Sequence, residues 1–330
     1  MRRAVVLVAL LTAATAGRAE AFVRTLHDGS GKPVFWQESC VPFTIYLNGF
    51  ERPSDVSRMS LPDIIKSLTE AAHAWSSDAV TCPSGGAPDL ELVPTLAPTS
   101  AAPPPAAYDA RNVVIFRTDN WSKSGKPSTA DNPDYPPEAL AVTTVTSDTS
   151  GRIVDADVEI NALNLPGQWF NLDPGVVPPQ NPQQPIDYYD LQDALTHEFG
   201  HFIGLAHTCF NPDVDKLRLK DDAGQDVPNC GDASPPAAMS AVMYFKVFPS
   251  EVSKRVLSPD DIRAVCTVYD PSRPHVACAL DQAPAGCAVA ARGRHPGNEV
   301  ALGVLAAFGL LAETVRRRRR AVSARRRARA

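Results

Sequence analysis

The sequence predicts a single α+β domain, residues 22–278, between two terminal segments of different composition. Five short stretches rich in β-branched and aromatic residues indicate strands, at residues 41–47, 90–92, 112–116, 139–146 and 152–161. Three further stretches repeat apolar residues at helical spacing and indicate helices. A body of this length can bury a substantial core as one domain.

Each of the three predicted helices begins at a capping signal. Ser60 opens the first helix, in which apolar residues then recur from Ile64 to Trp75. The second helix starts at Asp187 or Asp190, and the sequence does not choose between these two caps. The third begins with a capping box at residues 258–261. Trp75 is interpreted as core packing.

Two proline-rich loops interrupt this pattern, at residues 94–107 and residues 166–185. Neither shows a hydrophobic period. A loop as long as residues 166–185 is in most cases either functional or disordered, and the sequence leaves both interpretations open.

The second helix carries the pattern H-E-x-x-H-x-x-G-x-x-H. His197 and His201 lie four residues apart, so both side chains leave one helix face and can bind one metal ion. Glu198 then lies beside the metal, where it can take a proton from a water molecule. Gly204 allows the chain to reverse and return His207 as a third ligand. Three protein ligands leave one tetrahedral position open, as in catalytic zinc sites.

A helix with unrelated histidines is the alternative to a metal site. Five fixed positions within eleven residues are expected by chance on the order of 10⁻⁵ times in a chain of this length. The pattern therefore favours a metal site.

The extended motif resembles that of the metzincin zinc peptidases. The family also has a methionine turn beneath the metal, and Met243, 36 residues after His207, offers one, although ordinary core packing is its alternative role. Thr208, directly after the third histidine, is similar to the matrixin branch. Phe245 stands where astacins have a metal-binding tyrosine, so no tyrosine ligand is expected.

The resemblance implies a twisted, mostly parallel five-stranded sheet with an antiparallel edge strand, three main helices and one catalytic zinc. It implies an exported endopeptidase that hydrolyses peptide bonds with a zinc-activated water and Glu198 as general base. It also places Leu140 and Ala141 on the edge strand above the cleft, where a peptide substrate adds as a further strand. The alternatives are a catalytically inactive surface binding protein with this fold and a structural surface protein with a metal-stabilised domain.

The strand predicted at residues 152–161 alternates between apolar and acidic side chains. Asp155, Asp157 and Glu159 share one face of it. Carboxylates so close together repel one another unless they are solvated or neutralised by a cation. The sequence leaves open a solvated outer face and a calcium site.

The two ends of the chain predict export and sorting. Residues 1–21 have the basic start, apolar run and small residues of a secretory signal. Residues 279–330 contain Cys287, an apolar run at residues 300–312 and five arginines at residues 316–320. This layout resembles the MYXO-CTERM sorting tags of surface-displayed bacterial proteins, which a membrane-bound protease removes, here near Cys287. The apolar run is short for a stable transmembrane segment. A permanent tail anchor and a basic tail for nucleic acid are the alternatives.

The cysteines indicate disulfides, because exported proteins keep paired thiols oxidised. Proximity in the sequence suggests the pairs Cys40–Cys82, Cys209–Cys230 and Cys266–Cys278, although six cysteines allow fifteen pairings.

Charge argues against nucleic acid as a partner. The chain has a net charge of −5, although residues 288–330 carry eleven arginines and two glutamates. The rest of the chain is therefore strongly acidic and repels a polyanion. A protein or peptide substrate at the cell surface or outside the cell is expected.

Overall fold

The computed structural model describes residues 22–47, 60–98, 100–118, 120–122, 135–136, 138–162, 168–171, 187–212, 217–231 and 236–274. The strands are β1 (Val23–Arg24), β2 (Cys40–Tyr46), β3 (Glu91–Leu96), β4 (Val113–Arg117), β5 (Ala141–Ser147), β6 (Ile153–Asn161), β7 (Gln168–Asn171), β8 (Asp187–Asp190) and β9 (Leu205–Ala206). The helices are α1 (Leu61–His73), α2 (Leu191–Phe202), α3 (Pro236–Ser240) and α4 (Pro259–Val268), and a 3₁₀ turn spans Ser253–Arg255.

Five of the strands form one sheet in the order β3–β2–β4–β6–β5. The first four are parallel to one another, and β5 runs antiparallel to β6. The predicted α+β fold, with a mostly parallel five-stranded sheet and an antiparallel edge strand, is therefore confirmed. Among the described residues, no strand pairs with the outer edge of β5.

Two strands extend into segments predicted as loops. Pro94 lies within β3 and pairs with Phe43, so the expected start of a loop at that proline is wrong. Among the described strands β3 pairs with β2 alone, so a proline removes less of the hydrogen-bond ladder there than in a central strand. Strand β7 lies within the loop predicted at residues 166–185 and pairs in parallel with β8.

The core lies between the sheet and the helices α1 and α2. Helix α1 contacts α2 and β3, while α2 also contacts β5 and β6. Trp75 is completely buried, as predicted, and its Nε1 donates a hydrogen bond to the carbonyl oxygen of Thr196 at 2.8 Å. The rings of Phe43 and Phe199 lie 5.1 Å apart and join β2 to α2.

Asp190, rather than Asp187, caps α2. Its carboxylate accepts a hydrogen bond from the backbone N–H of Asp193 at 2.8 Å. The same carboxylate binds Arg255, whose Nε lies 2.8 Å from Oδ1. The cap therefore also joins the start of α2 to the 3₁₀ turn.

Helix α4 begins with the predicted capping box of Ser258 and Asp261. The carboxylate of Asp261, which is completely buried, also accepts hydrogen bonds from the backbone N–H groups of Val242 at 2.9 Å and Met243 at 3.4 Å. One side chain thus starts a helix and holds the chain segment before it.

The structure corrects two of the expected cysteine pairs. Cys82 is bonded to Cys266, with Cα atoms 5.6 Å apart, whereas the expected Cys209–Cys230 pair is present. Cys82 meets Cys266 because the segment after α1 lies beside the end of α4, where Asp89 N donates to Tyr269 O at 2.8 Å. Because Cys82 is bonded to Cys266, the expected bond between Cys40 and Cys82 is wrong. Cys40 is itself disulfide-bonded.

Cys278 and Cys287 lie outside the described residues. Cys266 is bonded to Cys82, so the expected bond between Cys266 and Cys278 is wrong as well. Structural disulfides such as Cys82–Cys266 and Cys209–Cys230 are typical of proteins outside the reducing cytoplasm.

The predicted terminal segments, residues 1–21 and 279–330, also lie outside the described residues. Within the described ranges, no helix is long and apolar enough to cross a membrane. The domain boundaries at residues 21 and 278 stay predictions.

We expect the Cys82–Cys266 bond to be recovered by peptide mapping of the unreduced protein with mass spectrometry. Replacing both cysteines with serine should lower the free energy of unfolding by about 2–5 kcal/mol, because the bond closes a long loop in the unfolded chain. A linked peptide pair containing Cys40 and Cys82 would contradict this connectivity.

Candidate metal centre

Three imidazoles converge at the end of α2. Nε2 of His201 lies 3.1 Å from Nε2 of His197 and 3.1 Å from Nε2 of His207. Among the described residues, this is the one group of three or more histidine, cysteine or acidic side chains that could hold a metal ion. The structure thus brings together the three histidines that the sequence singled out.

The other ring nitrogens of two of these histidines are anchored on main-chain carbonyls. Nδ1 of His197 lies 2.7 Å from the oxygen of Val242, and Nδ1 of His201 lies 2.9 Å from the oxygen of Leu205. A carbonyl only accepts, so each Nδ1 carries the proton and donates it. Each Nε2 is therefore the nitrogen without a proton, which is the form that binds a metal.

Burial keeps the first imidazole neutral. Loss of water, together with the nearby His201 and His207, holds the pKa of His197 well below its ordinary value. A neutral imidazole is available as a ligand without losing a proton first.

The donor set fits zinc. Tetrahedral zinc with Zn–N bonds of about 2.1 Å places its ligand atoms about 3.4 Å apart, close to the 3.1 Å separations of the histidine Nε2 atoms. Three imidazoles without a fourth protein ligand among the described residues match the composition of catalytic zinc sites.

A glycine makes the turn that returns the third histidine. Gly204 has φ +91°, and a Cβ at this position would lie 2.5 Å from the carbonyl oxygen of Val34. Only a residue without a side chain fits there without strain. The turn leads into β9, which pairs antiparallel with β1. His207 follows directly after β9.

Met243 packs against α2 at the level of the first two histidines. A Cβ placed on Gly200 would lie 2.1 Å from the sulfur of Met243 and 3.0 Å from Cζ2 of Trp75. The glycine between Phe199 and His201 therefore permits a close contact that any other residue would block. Met243 is almost completely buried and belongs to the main core cluster.

Glu198 is buried beside the first histidine and is held by a threonine. Its side chain is 7% exposed, and burial raises its pKa to about 7, while a hydrogen bond from Thr143 acts in the opposite direction. The Thr143 hydroxyl lies 2.6 Å from Oε2 of Glu198 and 3.1 Å from its backbone oxygen. A carboxylate with such a raised pKa is suited to accepting a proton near neutral pH.

Leu140 and Ala141 lie at the beginning of the edge strand, both partly buried. The carbonyl oxygen of Leu140 accepts a hydrogen bond from Asn161 N at 2.9 Å, which fixes the start of β5 against β6. Their predicted contact with a substrate stays a prediction.

The acidic face of β6 is not a solvated outer face, so that interpretation is wrong. Asp155 and Asp157 are each 1% exposed, and Glu159 is 0% exposed. Burial on both faces is usual for strands inside a mostly parallel sheet. Asp155 accepts a hydrogen bond from Arg111 N at 3.0 Å, and Asp157 accepts one from Val113 N at 3.2 Å.

Protein groups, rather than a metal ion, neutralise the third acid. Nε of Arg117 lies 2.5 Å from Glu159, and the Tyr135 hydroxyl donates to it at 2.7 Å. The three acids do not form one of the metal-binding groups found among the described residues, so the geometry does not support the predicted calcium site.

Four functional contacts lie beyond what the sequence indicated. They are the carbonyls of Val242 and Leu205, the carboxylate of Asp261 and the hydroxyl of Thr143. Asp261 was predicted as part of a capping box, but not its contact with Val242. Thr143 could have been noticed because it lies between the apolar positions Ala141 and Val145 on one strand face.

Comparisons with known proteins add little to this description. No protein-family model and no curated protein sequence matches the chain. A solved structure described as "Structure of myroilysin" is similar over 72% of this chain and 96% of that chain, at 12% sequence identity and a TM-score of 0.30. At such low values, the functional argument depends on the geometry of the site itself.

We expect Asp157→Asn to stabilise the protein at pH 7. Burial, and then the nearby Asp155, raise the pKa of Asp157 from 3.8 to about 8 in the folded state. Between these values the folded chain holds a proton that the unfolded chain has released, so stability falls as pH rises. The substitution should add on the order of 1–2 kcal/mol at pH 7 and flatten the pH dependence of Tm between about pH 4 and pH 8.

The matched control is Asp28→Asn, at an exposed position, which should change stability by less than about 0.5 kcal/mol. Added calcium should shift Tm in neither the parent nor the variant. A calcium-dependent rise in the Tm of the parent that disappears in Asp157→Asn would restore the calcium interpretation.

Proposed function

We propose that the chain is a zinc-dependent endopeptidase of the metzincin type, with a matrixin-like arrangement of its site. The observation that carries this proposal is the convergence of three imidazole nitrogens, with that of His201 lying 3.1 Å from each of the other two, beside a buried glutamate on α2. A purely structural metal site would favour a fourth protein ligand, which the described residues do not provide.

His197, His201 and His207 would hold one zinc ion through Nε2. Zinc, when bound, supplies a Lewis acid that polarises the scissile carbonyl. The backbone oxygens of Val242 and Leu205 orient two of the ligands through their Nδ1 protons, in the way that outer partners orient zinc-binding histidines elsewhere.

Glu198 acts as the general base. Its carboxylate accepts the proton of the attacking water and later donates that proton to the leaving amine. Burial raises the pKa of Glu198, and this supports the exchange. A carboxylate with a pKa near neutral pH can both accept and donate a proton at that pH.

The substrate is a protein or peptide that binds along β5. The outer edge of this strand has no partner among the described strands, so an extended peptide can add to it through main-chain hydrogen bonds. Leu140 and Ala141 would form part of this rim. Met243 would serve as the methionine of the family's turn, a role supported by its close packing against Gly200.

The enzyme is exported and displayed at the cell surface or released. Two disulfides among the described residues support a location outside the cytoplasm. In this proposal residues 1–21 are the signal, residues 22–278 the peptidase domain and residues 279–330 a sorting tag that a membrane-bound protease removes near Cys287.

Glu198→Gln should retain zinc and lose activity. The amide cannot take a proton, so casein cleavage should fall by about 10²–10⁴-fold, while zinc content measured by mass spectrometry stays at one per chain. A chelator should abolish cleavage by the parent, and added zinc should restore it.

The control for this substitution is Glu70→Gln, at an exposed position of α1, which should leave cleavage unchanged. Cleavage by Glu198→Gln at close to the parental rate would show that the glutamate is not the base. Absence of chelator-sensitive cleavage by the parent would favour a binding protein that kept the site without its activity.

We expect the mature protein recovered from the surface of its native cell to end at or near Cys287. Intact-mass measurement and carboxy-terminal peptide analysis test this directly. Peptides from residues 316–329 in the surface fraction would instead identify a retained tail anchor.

A further inference from the structure

Strand β5 presents a polar side chain on a face that is otherwise apolar. Ala141 and Val145, two residues to either side of Thr143, pack against the main core cluster. Successive side chains of a strand alternate between faces, so Thr143 also points toward the core and α2. A hydroxyl at such a position costs stability unless it is hydrogen-bonded.

The hydroxyl of Thr143 contacts the carboxylate of Glu198 on α2. Its Oγ1 lies 2.6 Å from Oε2 of Glu198, and 3.1 Å from the backbone oxygen of the same residue. A hydroxyl has one proton, and the shorter contact assigns that proton to the carboxylate. A hydrogen bond to an ionised carboxylate is stronger than one between neutral groups.

The position of the Thr143 hydroxyl is fixed by the strand that carries it. Thr143 pairs with Val158 of β6, and Thr is β-branched, so its χ1 angle has few alternatives. Glu198, by contrast, has three side-chain torsions that would otherwise be free to rotate. The threonine therefore fixes one oxygen of the glutamate and leaves the other oxygen for a reacting group.

We propose that Thr143 is a positioning residue that holds the carboxylate of Glu198 in the orientation required for proton transfer. The inference rests on the proposed function, because it concerns the base of that reaction. Since its side chain faces α2 rather than the outer edge of β5, Thr143 should affect the chemical step and leave substrate binding unchanged.

The test uses the zinc-loaded full chain and a fluorogenic peptide that spans a bond cut by the parent in casein. Thr143→Val keeps the shape of the side chain and removes its hydroxyl. We expect kcat to fall about 10–100-fold, with KM within about twofold and one zinc still bound per chain. Thr143→Ser returns the hydroxyl and should recover kcat to within about threefold of the parent.

Thr69→Val is the matched control, since it makes the same change at an exposed position of α1, outside the strand along which the substrate is proposed to bind. It should leave kcat, KM and zinc content unchanged. Thermal unfolding of all variants separates loss of the fold from loss of the reaction, and Thr143→Ala, which also lacks the hydroxyl, replaces Thr143→Val if that variant does not fold.

Three results would overturn the proposal. They are an unchanged kcat for Thr143→Val, a loss of kcat that Thr143→Ser does not recover, and a loss that follows a fall in zinc content. Each of these results overturns only the role of Thr143 and leaves the proposed function intact, because the parent still cleaves the peptide. Absence of metal-dependent cleavage by the parent would overturn the proposed function itself, and the positioning role with it.

Discussion

The hydrogen bond between Nδ1 of His197 and the carbonyl oxygen of Val242 connects the candidate metal centre to the rest of the protein. Val242 is in turn held through its N–H by Asp261, which forms the capping box of α4 together with Ser258. Helix α4 is covalently joined to the segment after α1 by the Cys82–Cys266 disulfide. The orientation of the His197 imidazole therefore depends on the segment that contains Val242, on the start of α4 and on the Cys82–Cys266 disulfide.

The fold also has to accommodate charge inside the sheet. Asp155, Asp157 and Glu159 are buried on one face of β6, although like charges at this spacing repel one another. Arg117 and Tyr135 compensate Glu159 directly, whereas Asp157 has a backbone hydrogen bond and a raised pKa. The sheet that carries the site is therefore less stable than its apolar content would suggest, and this deficit depends on pH.

The sequence predicted local features more successfully than distant contacts. Helical spacing and one glycine were sufficient to indicate that His197, His201 and His207 come together, because those relations span only eleven residues. The Cys82–Cys266 bond and the Asp261 contact depend on how α4 packs, and no local pattern reports such packing. The acidic stretch of β6 misled for a related reason: alternation indicates two different faces, but the tertiary structure decides whether both are covered.

The pairing of β1 with β9 bears on the order of folding. Val23 pairs with Ala206, far along the chain. Contacts so distant along the chain form late, because a long loop must close before they can. The placement of His207 thus depends on a long-range strand pairing, whereas His197 and His201 share one helix. A chain with α2 alone would therefore offer a metal ion two imidazoles, and the third arises only once the domain has closed on itself.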